Sequence, residues 1–254
     1  MLKAITRAVS RSIAQCELSH LARVPISLER AREQHHAYEN ALRSLGVDVH
    51  SLPEEPDLPD SVFVEDTAVV LEECAVITRL GAESRRPESA SIARALARDR
   101  KLIAIQEPGR VDGGDVLVLD KTIYVGVTTR SNDSAIQQMQ AGLDSYGYKV
   151  VSVAVTGCLH LKSAVTRAAQ DLLLINTAWV GKDRFPGFRF LEIDPSEPYA
   201  ANVLRVGDVV LYQPSFPETL KRLEAARIPL LLVDASELGK AEGALTCCSL
   251  VYSL

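Results

Sequence analysis

Four side chains with distinct chemistry lie in turns that recur along the chain: Asp66, Asp112, His160 and Cys247. A thiol attacks only as its thiolate, and a free cysteine titrates near 8.5, so Cys247 needs a neighbouring cation at neutral pH. Imidazole titrates near neutrality without heavy tuning, which suits His160 to proton transfer. The two aspartates offer acceptors to a cation. Each residue taken singly has a plainer reading. Asp112 opens the turn-forming Asp112-Gly113-Gly114, His160 sits in a turn, and Asp66 follows Glu65 at the end of an apolar run. Cys248 reads as a small buried hydrophobe on the opposite face of a strand that Cys247 begins. The spacing makes the joint case. With Asn202 at a further equivalent turn, the separations are 112−66 = 46, 160−112 = 48, 202−160 = 42 and 247−202 = 45 residues.

Such a period requires a repeated unit to carry the turns. Five apolar, β-rich segments, 46–52, 101–106, 147–153, 188–193 and 228–234, each stop at a polar turn. Hairpins follow at 68–71 with 75–78, 116–119 with 122–127, 163–166 with 172–176, and 203–206 with 209–212, and the fifth unit has only 249–254. Its missing strand is supplied by 2–8 at the other end of the chain, which closes a ring and hides two sheet edges. Helices are expected over 28–45 (stopped by Gly46), 88–99, 132–146 and 217–227, the last with Ser215 as N-cap. The Pro-, Gly- and aromatic-rich stretch 179–198 reads as irregular, so one unit lacks a full helix. The expected fold is α/β: a cyclic array of five ββαβ units in one domain, 1–254. A closed ring turns its equivalent loops toward one end of the axis, so residues about 45 apart in sequence converge.

Composition narrows the partners. The chain has 254 residues, 47% of them hydrophobic and 24% charged, which suits a packed core and excludes a disordered or fibrous chain. A net charge of −5 argues against a sequence-independent grip on nucleic acid and favours a small cationic ligand. No apolar run reaches the length of a membrane span. Five cysteines, an odd number without CxxC spacing, point to reduced thiols and a cytoplasmic setting. Residues 1–16 lack acids and carry Lys3, Arg7 and Arg11, a leader-like trait, but they read better as the first strand and a basic loop.

The segments 60–66, 77–79, 81–86, Asp112-Gly113-Gly114-Asp115-Val116, Leu159-His160-Leu161-Lys162-Ser163, Ala200-Ala201-Asn202 and Leu245-Thr246-Cys247-Cys248-Ser249 resemble those of dimethylarginine dimethylaminohydrolases, members of the pentein or guanidino-group-modifying superfamily. The resemblance spans essentially the whole chain. It implies a five-fold pseudo-symmetric α/β propeller and hydrolysis of Nω-methylated arginines to citrulline and a methylamine. By this resemblance Cys247 is the nucleophile, His160 the proton donor and Asp112 the catalytic carboxylate, a position where some members carry Glu. Glu65 and Asp66 are the acids around the guanidinium, and Arg85 and Arg130 grip the α-carboxylate. Asp60 and the Ala241 backbone hold the amino end, and Leu18 is the lid residue.

The reaction so implied needs no metal or organic cofactor. Cys247, His160 and Asp112 offer three zinc ligands, and zinc there would inhibit by tying up the thiolate. A homodimer is compatible with the sequence. Arginine deimination is the nearest alternative, but arginine deiminases generally carry an extra helical domain for which 254 residues leave no room. A non-catalytic pentein, like the ribosome anti-association factors, has no reason to keep Cys, His and Asp at equivalent turns. A cysteine peptidase is disfavoured because acids around the thiol repel peptide carboxylates.

Overall fold

The computed structural model describes residues 1–254 and contains five three-stranded sheets. In each, a central strand pairs antiparallel with its hairpin mate and parallel with the strand that returns after the connecting segment. Cys74–Ile77 lies between Ala68–Val70 and Lys101–Ala104. Thr122–Val127 lies between Val116–Leu119 and Lys149–Ala154. Leu172–Ile175 lies between Val165–Ala169 and Arg189–Glu192, and Val209–Tyr212 between Leu204–Val206 and Leu230–Leu232. The fifth sheet joins the chain ends. Leu2–Arg7 pairs antiparallel with Leu250–Ser253, with Leu2 opposite Ser253, and parallel with Asp48–Leu52. The expected ring of ββαβ units, closed by the first and last strands, is the architecture found.

Burial follows that order. Cys74–Ile77 and Leu172–Ile175 are buried at every residue, whereas Lys101–Ala104 and Leu230–Leu232 face partly outward. The apolar core is accordingly divided into five clusters between neighbouring blades.

Local chemistry sets the helix ends. Leu28–Ser44 starts where the Ser27 hydroxyl accepts from Arg30 N at 3.3 Å and ends at Gly46, whose φ of +78° favours glycine. Asp133–Leu143 is capped by Asn132, which accepts from Ala135 N at 3.1 Å. Ser215 does not cap Pro217–Ala225. The Glu197 carboxylate does so from outside the segment, accepting from Glu218 N and Thr219 N at 2.9 and 2.8 Å. The 179–198 stretch holds only the 3₁₀ turn Lys182–Arg184 and the strand Arg189–Glu192, so one unit lacks an α-helix, as expected.

Two expected strand starts are displaced, both at chemically important places. Residues 161–164 form one helical turn before the strand begins at Val165, because Leu161 N donates to the buried Asp115 carboxylate at 3.0 Å. Cys247 and Cys248 lie in the 3₁₀ turn Thr246–Cys248, and the strand begins at Leu250. With Val64–Thr67 and Gly113–Asp115, four of the five units place a short helical turn ahead of the inner strand of a sheet, the antiparallel partner of its central strand: Ala68–Val70, Val116–Leu119, Val165–Ala169 and Leu250–Ser253.

Candidate active site

These turns carry the reactive side chains. Asp66 is inside its turn, Asp112 and His160 immediately precede theirs, and Cys247 is central to its own. His160 Nε2 lies 3.1 Å from Asp112 Oδ2, and its Nδ1 is 3.9 Å from Asp66 Oδ1. Asp66 Oδ1 also accepts from Gly114 N at 3.0 Å, and Asp112 Oδ1 from Gly81 N at 2.8 Å. The glycines serve close approach. A Cβ at Gly114 would stand 2.5 Å from His160 Nδ1 and 2.9 Å from Asp66 Oδ1. Asp115, buried behind, accepts from the Thr128 and Ser131 hydroxyls at 2.7 and 2.6 Å and from Leu161 N at 3.0 Å, the last of which ties the turns of Asp112 and His160 together.

Electrostatics divides the protons. Burial disfavours a charged His160, but Asp66, Asp112 and Asp115 outweigh it and lift the imidazole to about 9. Burial alone would raise Asp66; His160 and Arg85 overcome it and bring the carboxyl down to about 2. Burial, with Glu65 and Asp66, holds the Cys247 thiol far above its ordinary value. At neutral pH the site therefore combines an imidazolium with a neutral thiol.

His160, Cys247, Asp66, Arg85, Arg130, Asp60 and Ala241 line one small cavity with about 20 Å³ of free space, room for about one water. Asp60 is buried, accepts from Glu17 N at 3.0 Å, and is raised by that burial. Arg85 is heavily engaged: its Nε and Nη2 fork onto Glu88 at 3.0 and 2.9 Å, and Nη1 meets Asp66 at 2.8 Å. Arg130 is freer. Its Nη1 is buried without a hydrogen-bond partner, 3.5 Å from Asp112 Oδ2, and Nη2 donates to the Ser19 hydroxyl at 3.2 Å.

Three of the residues singled out from the sequence lie outside the lining of this cavity. Asp112 stands behind His160 with no exposed surface. Leu18 belongs to the N-terminal loop and packs against the apolar cluster that includes Phe63 and Ala241. Glu65 turns toward the axis, where it accepts from Lys162 Nζ at 2.5 Å and Thr246 Oγ1 at 2.8 Å. Asn202 props the nucleophile's turn, with Nδ2 donating to Thr246 Oγ1 at 2.9 Å and Oδ1 accepting from Thr246 N at 3.2 Å. The potential metal ligands whose atoms gather within 4.8 Å are Asp66, Asp112 and His160; the Cys247 sulfur is not in that set.

Glu242 went unnoticed in the sequence. It lines the cavity beside Phe63, Leu159 and Gly243, and its carboxylate accepts from the backbone N–H groups of Ser19, His20 and Leu21 at 2.5–3.1 Å. That grip ties residues 19–21 of the N-terminal loop to the cavity wall. Glu242 does this from a left-handed backbone, φ +59°, for which Lys240-Ala241-Glu242-Gly243 gives no cue.

A buried acid, a protected thiol, paired carboxylates and a free guanidinium donor suit nucleophilic attack on a small cationic amino acid. Known proteins place the chain in the same chemistry. Residues 15–180 match the family model described as N,N dimethylarginine dimethylhydrolase, eukaryotic. The chain is 35% identical over 251 residues to the N(G),N(G)-dimethylarginine dimethylaminohydrolase of Pseudomonas aeruginosa, covering 98% of both. It is 40% identical over 249 residues to that of Streptomyces coelicolor, covering 97% of this chain and 95% of the relative. The solved structure of the Pseudomonas aeruginosa enzyme, a cysteine-to-serine mutant complexed with citrulline, superposes with a TM-score of 0.93 at 33% identity, covering 98% of each chain. The N-terminal domain of a cyanobacterial arginine dihydrolase shares the fold at 18% identity, with a TM-score of 0.88 and coverage of 99% and 98%. The chain belongs to the dimethylarginine dimethylaminohydrolase family.

Proposed function

We propose that this protein hydrolyses Nω-methylated arginines to citrulline and a methylamine, with Cys247 as nucleophile and His160 as proton carrier. The observation that carries the assignment of roles is the placement of His160, 3.1 Å from Asp112 and 3.9 Å from Asp66, in the cavity that Cys247 also lines.

A guanidinium carbon is a poor electrophile because resonance spreads its charge. Asp66 fixes the guanidinium plane by charge-assisted hydrogen bonds, with Asp112 acting from behind through His160 and Glu65 through the nucleophile's turn. The bound cation favours the Cys247 thiolate, which burial and the neighbouring acids disfavour, so substrate activates its own nucleophile. Sulfur adds to the carbon. The C–N bond to the methylated nitrogen then breaks as His160 gives up its proton, and the amine leaves a cationic thiouronium on Cys247. Water adds with one proton passing to His160, and the C–S bond breaks as the adduct's hydroxyl proton passes to the sulfur. Citrulline forms with the thiol restored, that proton replacing the one it had lost to solvent. Arg130 Nη1, buried without a partner, receives the α-carboxylate with Arg85 beside it, and Asp60 and the Ala241 carbonyl take the amino group. Leu18 covers the substrate when Glu242 holds the loop shut. Arg130's free donor favours a substrate with a carboxylate over a bare guanidine.

No helix is long and apolar enough to cross a membrane, and all five cysteines are unpaired, which supports our placing the reaction in the cytoplasm. We also propose that the protein works without nucleic acid, metal or organic cofactor, that zinc at this centre would inhibit, and that a homodimer leaves the site complete in each subunit. A citrulline assay across arginine, monomethylarginine, both dimethylarginines and agmatine tests the reading. Asymmetric dimethylarginine or monomethylarginine should lead the series; turnover of arginine alone would replace methylarginine hydrolysis with deimination.

A further inference from the structure

A second cavity, of about 260 Å³, lies against the catalytic one and is an order of magnitude roomier. Leu159, Glu242 and Gly243 line both, so they form the partition. Leu159 and Ser163, on either side of the proton donor in sequence, both face the second chamber. Its chemistry is specific. No lysine or arginine lines it, its carboxylate is that of Glu242, and the rings of Tyr199 and Phe216 form part of the wall. Gln213 lines it while only 5% exposed, and its side-chain amide makes no hydrogen bond within the protein. The amide atoms stay accessible to the chamber, so a ligand there can bond them at no cost to a bond within the protein.

The reaction creates a need for such a space. When the C–N bond breaks, the rest of the substrate is still bonded to Cys247 and held at its α-carboxylate and amino end by Arg130, Arg85 and Asp60. The amine must leave, and a water must arrive, by another way. We propose that the second cavity receives the released methylamine and, once the amine has taken a proton from water, holds it as an alkylammonium, with Glu242 balancing its charge, the Gln213 carbonyl accepting its N–H, and Tyr199 and Phe216 packing on its methyl groups. An alkylammonium beside a carboxylate and aromatic faces is a favourable combination, whereas citrulline's carboxylate would be repelled by Glu242. This inference rests on the methylarginine reading and adds to it a site for the second product.

The test is binding of dimethylammonium chloride, followed through its methyl protons by saturation-transfer NMR, to the wild-type protein with and without saturating citrulline. The expected result is binding that persists beside citrulline. Gln213→Leu should weaken it roughly 10-fold, the cost of one good hydrogen bond. Gln213→Glu, by adding a second carboxylate, should tighten it, which a merely structural glutamine would not do. Displacement of dimethylammonium by citrulline, or equal affinity in both Gln213 variants, would overturn the proposal. The readout needs no turnover, so it stands apart from whether citrulline is formed from dimethylarginine.

Discussion

At the scale of single residues, the site is a problem in where protons sit. His160 gains its proton affinity from three carboxylates despite burial, and this ties stability to pH. A group whose pKa rises on folding, here from about 6.5 to about 9, stabilises fully below 6.5 and loses that contribution as pH climbs through 9. Stability in urea should fall between about pH 6 and about pH 9.5, and His160→Asn should lessen the fall by on the order of 3 kcal/mol, the buried thiols of Cys247 and Cys248 accounting for part of the rest. Equal stability at both pH values in the wild type would remove the imidazolium from the account. Cys247→Ser should abolish citrulline formation, whereas Cys248→Ser should largely keep it, since Cys248 is buried in the core with its thiol donating to Ala244 O at 3.4 Å. Arg130→Lys should raise KM for dimethylarginine by roughly 10-fold, because an ammonium lacks the planar fork for a carboxylate. An Nω-methylated agmatine, lacking the carboxylate, should show no such change.

At the scale of elements, short turns do the positioning, and here the sequence was only partly readable. The hairpins, the returning strands and the long helices announced themselves through apolar runs, caps and Gly46, and the recurrence of Asp66, Asp112, His160, Asn202 and Cys247 about every 45 residues put them at one end of a ring. The helical turns before the inner strands did not. Each is fixed by side-chain bonds from another unit, such as Asp115 to Leu161 N, and no local pattern records a partner about 45 residues away. For the same reason Glu242 stayed hidden, because its hydrogen bonds reach the loop at Ser19–Leu21, more than 220 residues distant. The Gly113-Gly114 pair was visible as a turn, but its demand is steric, with Gly114 pressed against His160 and Asp66. Gly114→Ala should therefore cut kcat/KM by roughly 100-fold, the usual cost of displacing a reacting group by an ångström. A full-activity Gly114→Ala enzyme would mean that the turn has slack the packing does not allow.

For the whole molecule, closure of the ring is what brings the turns to one place. The ends meet in one sheet, with Leu254 N donating to Met1 O at 3.0 Å. Joining them through a short linker and reopening the chain at Gly187, exposed and with nothing near its Cβ position, should leave an active circular permutant. Deleting 250–254 should instead cost both folding and activity, because it strips the antiparallel partner from Leu2–Arg7. The central claim is that five units fold back to set the Cys247 thiol against a guanidinium carbon. Acid quenching during turnover of asymmetric dimethylarginine by the Cys248→Ser protein, followed by peptide mass spectrometry, tests it most directly. The predicted result is an adduct on Cys247 equal in mass to the substrate less dimethylamine; an adduct on another cysteine, or citrulline formed by a Cys247→Ser enzyme, would contradict it.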